Sequence, residues 1–108
     1  MPLTRSFKET VRARAERDPG FREALMQEAV QALLAGDTET GRAALREYVN
    51  ATIGFDALAK ATGKPAKSLM RMLGPHGNPQ ARHLLSVLDQ LQRATGIRLE
   101  VRAIAKAA

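Results

Sequence analysis

The chain has no cysteine and no tryptophan, and aromatic residues make up only 4% of its 108 residues. Without cysteine there is no disulfide framework and no thiolate zinc site, and a reducing compartment is compatible. No apolar run approaches the roughly 20 residues that cross a bilayer. The opening Met1-Pro-Leu-Thr-Arg-Ser-Phe-Lys-Glu9 has no apolar signal core, so a cytoplasmic protein is expected. Acidic residues are scarce in one half. Residues 51–108 hold nine Lys and Arg against Asp56, Asp89 and Glu100, whereas residues 1–50 hold eight of each sign. The net charge of +6 therefore lies entirely in the second half. A basic half on a small domain is the electrostatic footprint of a polyanionic partner, although a solvated face also produces it.

What the chain does have is alanine and leucine. A hydrophobic fraction of 44% with so few aromatics favours packed helices in a single domain over a sheet sandwich. Residues 4–17 mix charges of both signs around Phe7 and Val11, as an exposed first helix does. Asp18-Pro19 is a helix start, because Asp accepts from free N–H groups and Pro suits the first helical position. Phe21, Leu25, Ala29 and Leu33 then follow four apart, with Met26 and Val30 widening the stripe, and Gly36 ends it. Asp37 and Thr38 cap a third helix that buries Ala44, Leu45, Tyr48 and Val49. Ile53-Gly54 marks the next corner.

Residues 55–74, Phe55-Asp-Ala-Leu-Ala-Lys-Ala-Thr-Gly-Lys-Pro-Ala-Lys-Ser-Leu-Met-Arg-Met-Leu-Gly74, form the most informative stretch. Two short amphipathic segments meet at Thr62-Gly63-Lys64. Gly63 supplies the conformational freedom that ends one helix, and Ala59 leaves room for the other to cross closely. Leu69 and Met72 can pack back on Leu58. Left outside are Ala66, Lys67, Met70 and Arg71, with two cations and no acid. The same spacing occurs in ordinary αα-corners, but a unit of this kind in a basic half usually places its second helix in the DNA major groove. On that reading Lys67 and Arg71 reach base edges, Ala66 and Met70 touch thymine methyls, and Lys64 and Ser68 contact phosphates.

The loop Gly74-Pro-His-Gly-Asn-Pro79 holds two Gly and two Pro in six residues. Asn78-Pro79 repeats the cap-and-proline start, and Leu84, Leu85, Leu88 and Leu91 line the next helix until Thr95-Gly96. Asn78 and Arg82 complete the expected phosphate contacts. Ile97-Arg-Leu-Glu-Val-Arg102 alternates apolar and charged residues, the period of a half-buried strand. A lone strand either lies against the helices or pairs with a second copy across a twofold axis. Residues 103–108 read as a tail.

Other chemistries find little footing. His76 and His83 have no cysteine or acid between them and make a poor metal pair. Ser6, Ser68 and Ser86 lack a nucleophile elbow, no glycine-rich phosphate loop is present, and Tyr48 reads as a packing residue. Neither catalysis nor a cofactor is expected.

The runs Leu45-Arg-Glu-Tyr-Val-Asn-Ala-Thr-Ile-Gly-Phe-Asp-Ala-Leu-Ala59, Lys67-Ser-Leu-Met-Arg-Met-Leu-Gly-Pro-His-Gly-Asn-Pro79 and Thr95-Gly-Ile-Arg-Leu-Glu-Val101 resemble the addiction-module antidote proteins. These are small bacterial antitoxins with an Xre-type (Cro/CI) helix-turn-helix. The similarity covers residues 25–102, and residues 1–20 do not match the usual start. The resemblance implies an all-α, lambda-repressor-like domain, here of five or six helices with a short C-terminal β-strand at 97–102. It further implies a homodimer that binds double-stranded operator DNA and represses its own toxin–antitoxin operon. It implies a cognate RelE/HigB-like toxin as partner. The alternative is a protein-interaction antitoxin that covers such a toxin and binds little DNA.

Overall fold

A computed structural model describes residues 5–107, which form six helices and, among the described residues, no strand. Thr4 of the expected first helix, with the rest of the opening segment, and Ala108 of the tail lie outside the described residues. The helices are α1 (Arg5–Arg17), α2 (Pro19–Leu34), α3 (Thr38–Ala51), α4 (Gly54–Thr62), α5 (Ala66–Met72) and α6 (Ala81–Thr95). The fold is all-α.

Local chemistry accounts for most of the boundaries. Asp18 stands in extended backbone and its Oδ1 accepts from the Phe21 amide at 3.2 Å, with Pro19 opening α2 behind it. Asp37 Oδ1 accepts from the Thr40 amide at 3.2 Å, and the Thr40 side chain first, then this amide, holds the Asp37 carboxyl below its usual range. Asn78-Pro79 does not start α6. Gln80 is still extended (φ −68°, ψ 149°) and caps without a side-chain bond, so the helix begins at Ala81.

Met26 and Ala29 of α2, Leu45, Tyr48 and Val49 of α3, Phe55 and Leu58 of α4, and Leu69 of α5 share one core with Leu73, Val87, Leu88, Leu91 and Ile97. α2 packs mainly on α3, α1 packs on both, and α4 connects α3 to α5 and α6. On α2 the centre of the stripe is Met26 and Ala29, three apart, while Phe21, Leu25 and Leu33 flank it half-buried. On α6 the buried line runs Val87, Leu88, Leu91, with half-buried Leu84 one turn before it. Leu85 falls off that line and is 63% exposed, contrary to its expected place on the apolar face.

Arg22 gathers three helix ends. Its Nε donates to the Thr95 carbonyl at 3.1 Å and its Nη1 to the Ala15 carbonyl at 2.6 Å, so the last turns of α1 and α6 both receive a cation. Arg14 adds a second tie for α1, stacking 4.6 Å from the Phe21 ring centre and pairing with Asp18 at 3.6 Å.

The expected strand at 97–102 is absent, because no second strand lies beside it to share a ladder. Its alternation survives: Ile97 is buried and Leu99 half-buried, while Arg98 and Glu100 face outward. The Leu99 amide donates to Gln92 Oε1 at 2.9 Å, which fastens the segment to α6. Of the two alternatives left open above, the segment lies against the helices as far as Leu99. Beyond it Val101 and Ile104 are 85% and 76% exposed.

Candidate nucleic-acid interface

α4 ends at Gly63, whose backbone takes φ 73° and ψ 13°, a left-handed conformation that favours glycine. Its amide returns to the Ala59 carbonyl at 2.9 Å. Thr62 Oγ1 accepts from the Lys64 amide at 3.4 Å and donates back to the Leu58 carbonyl at 2.9 Å, which closes the corner. Pro65 is extended (φ −61°, ψ 142°), and α5 begins directly after it. Leu58, Leu69 and Leu73 are fully buried between α4, α5 and the core, and Met72 packs at their edge.

The outer face of α5 presents Lys67, Ser68, Met70 (51% exposed) and Arg71. Ala66 does not join them. It precedes Leu69 by three positions, shares its face, and packs half-buried against the core. Its methyl is therefore less open to solvent than the side chains of Lys67, Met70 and Arg71. Lys64 is half-buried in the corner, and Asn78 and Arg82 are exposed.

Arg12, Arg14, Arg93 and Arg98 each have a carboxylate within 4.0 Å. Among the described residues, Lys64, Lys67, Arg71 and Arg82 pair with none. Their positive field is left unneutralised and pointed at solvent. Cations without a carboxylate neighbour also occur elsewhere, at Arg17, Arg46, Lys60, Arg102 and Lys106, but at this face they gather beside one groove.

A groove of about 340 Å³ runs between α5 and the start of α6. Ser68 and Arg71 form one wall, His76 and Asn78 come from the loop, and Gln80 and His83 close the far side. Ser68, Arg71 and Asn78 thus line one groove, while Lys67 and Met70 stand outside it on the exposed ridge. In the sequence His83 reads only as half of a metal pair. Partial burial, followed by the fields of Lys64 and Arg82, holds its imidazole below the ordinary range, which places those two cations beside it. No cluster of three or more metal-ligating side chains occurs among the described residues.

Arg42 was counted above only as one charge in the balanced half. It is 9% exposed, on the inner face of α3 three residues before Leu45 and seven before Val49. Its Nε donates to the Thr38 carbonyl at 3.2 Å, and its Nη1 donates to the carbonyls of Gly74 (2.8 Å) and Gly77. Those bonds offset the cost of withdrawing a cation from water. A cation on an apolar stripe was the signal in the sequence. Gly77 lies so close to the end of α5 that a Cβ there would stand 2.1 Å from the Met72 carbonyl oxygen and 2.7 Å from that of Arg71.

Fold and surface together define an all-helical protein with a tight two-helix corner and an unpaired cationic ridge beside a polar groove. Comparison with protein-family models, curated proteins and solved structures gives no match. Among the described residues, no helix is long and apolar enough to cross a membrane.

Proposed function

We propose that this chain is a sequence-specific, double-stranded DNA-binding regulator of the lambda-repressor-like type, acting by binding and not by catalysis. One observation carries the reading: the outer face of α5 and its flanks bring four cations, none with a carboxylate within 4.0 Å, around a groove whose lining holds no acidic residue. Solvent-facing cations left unpaired on one surface fit a phosphate backbone, where each contact releases counterions. Lys67 reads base edges from the ridge and Arg71 from the groove wall, with Met70 against a thymine methyl. Lys64, Ser68, Asn78 and Arg82 hold phosphates around the groove.

The resemblance to addiction-module antidotes extends the proposal to an antitoxin that represses its own operon as a homodimer. Val101 and Ile104, apolar and exposed beyond the point where the segment leaves the helices, offer a surface that a second copy can cover. The test is titration of the chain's own promoter fragment against random duplex at several salt concentrations, with light scattering for the dimer. Binding without promoter preference, or binding insensitive to salt, overturns the DNA reading. A monomer at high micromolar concentration overturns the dimer.

The second reading, an antitoxin that mainly covers a RelE/HigB-like toxin, is favoured by an apolar groove of about 310 Å³ in the opposite half. Val11, Phe21, Leu25 and Ala51 line it. Co-purification with the product of the adjacent reading frame, in the absence of promoter binding, decides for it.

A further inference from the structure

We infer that Arg42 is a positioning residue for the DNA-facing surface: from inside α3 it sets the loop that carries Asn78 against the end of α5. The inference rests on the proposed reading of that surface. Residues 74–79 have little to hold them by themselves. Their internal backbone bonding is one link from the Gly77 amide to the Gly74 carbonyl at 3.0 Å, and two prolines remove further donors. Both carbonyls that Arg42 grips lie in this segment. Gly74 also closes α5, its amide donating to the Arg71 carbonyl at 3.1 Å, and Gly77 lies directly against the backbone of Arg71 and Met72.

One guanidinium therefore ties the last turn of α5 and the loop to a helix of the core. The two hydrogens of Nη1 serve two carbonyls three residues apart, which fixes the loop in rotation as well as position. Arg42 is too buried to touch DNA itself. Its effect passes through Asn78, which lines the groove opposite Ser68 and Arg71. A lysine, with a single ammonium on a flexible stem, cannot reproduce the fork.

The experiment compares wild type, R42K, R42M, N78A and R42M/N78A on the same promoter duplex across a salt series, with circular dichroism and amide exchange on the free proteins. R42M is expected to keep its helix content while its Gly77 amide exchanges faster. Its salt slope should fall by about 0.9, the loss of one phosphate contact, with affinity reduced roughly threefold to tenfold. Discrimination between the promoter and a point-substituted promoter should stay within about twofold, because Lys67 and Arg71 remain on α5. N78A should show the same loss, and the double variant should be no worse than either alone. If R42M does not fold, R42K carries the same comparison. A wild-type salt slope in R42M or R42K, or losses that multiply in the double variant, overturns the role of Arg42 while leaving the DNA reading intact. A wild-type protein without salt-dependent promoter preference overturns that reading, and with it the inference.

Discussion

Tyr48 Oη lies 2.6 Å from Thr95 Oγ1, joining the last turn of α3 to the last residue of α6 across 47 positions of chain. The direction of this bond can be assigned. The single hydroxyl hydrogen of Thr95 is engaged by the Leu91 carbonyl at 2.6 Å, so Tyr48 donates and Thr95 accepts.

Tyr48→Phe keeps the ring in the core and removes only the donor. It should cost about 0.5–1.5 kcal/mol, measured by urea unfolding at neutral pH. Burial raises the Tyr48 phenol above its ordinary 10.0. A raised folded value favours the protonated form, so its contribution is complete below pH 10 and is lost as pH climbs through the folded value. Wild type should therefore lose stability above pH 10 more steeply than Tyr48→Phe. Parallel curves would show that the phenol is not buried as described.

Leu85 and Leu88 test the placement of α6. Leu88→Ala should cost about 2–5 kcal/mol, since Leu88 is in the core. Leu85→Ala should stay within about 0.5 kcal/mol, since Leu85 is exposed. Thermal melts of the two variants provide the comparison, and equal losses would mean that α6 is rotated from the position described.

The same helix shows where reading the chain succeeds and where it stops. Signals that act within one turn are legible: Asp18 and Asp37 accept from amides three residues on, and Gly63 and Gly96 leave their helices with positive φ. Which of four leucines lies outside the stripe depends on the angle at which α6 meets α3 and α4, and no local spacing encodes that angle. Asn78 fails as a cap for a related reason: the loop is held from α3 by Arg42, 32 residues upstream of Gly74. At the candidate site, the exposure of Lys67, Met70 and Arg71 follows from helical spacing. Ala66 is half-buried because the three-residue step to Leu69 turns it toward the core, even at the start of the helix.

His83 should make the free protein sensitive to acid. Its folded value is depressed below 6.5, so the unfolded chain binds the proton more readily. The contribution to stability is present above 6.5 and lost as pH falls through the lower folded value. His83→Gln should flatten that part of the stability curve between about pH 7 and 5. Lys64→Gln should reduce the effect by removing one of the two cations facing the ring. An unchanged slope in His83→Gln would place the imidazole in ordinary solvent.

The division between reading and holding makes the last prediction. Lys67→Ala with Arg71→Ala should abolish preference for the promoter over random duplex, because both base-reading cations are removed from α5. Arg82→Ala should weaken promoter and random DNA alike and lower the salt slope by about 0.9. Ala66→Ser should leave sequence preference unchanged, since Ala66 packs inward against the core. The three variants are compared by anisotropy titration on one promoter fragment and one shuffled control. If the double variant retains its preference, the bases are read from another part of the surface. If Ala66→Ser changes the preferred sequence while the protein stays folded, α5 is turned about its axis from the orientation in which Leu69 and Leu73 face the core.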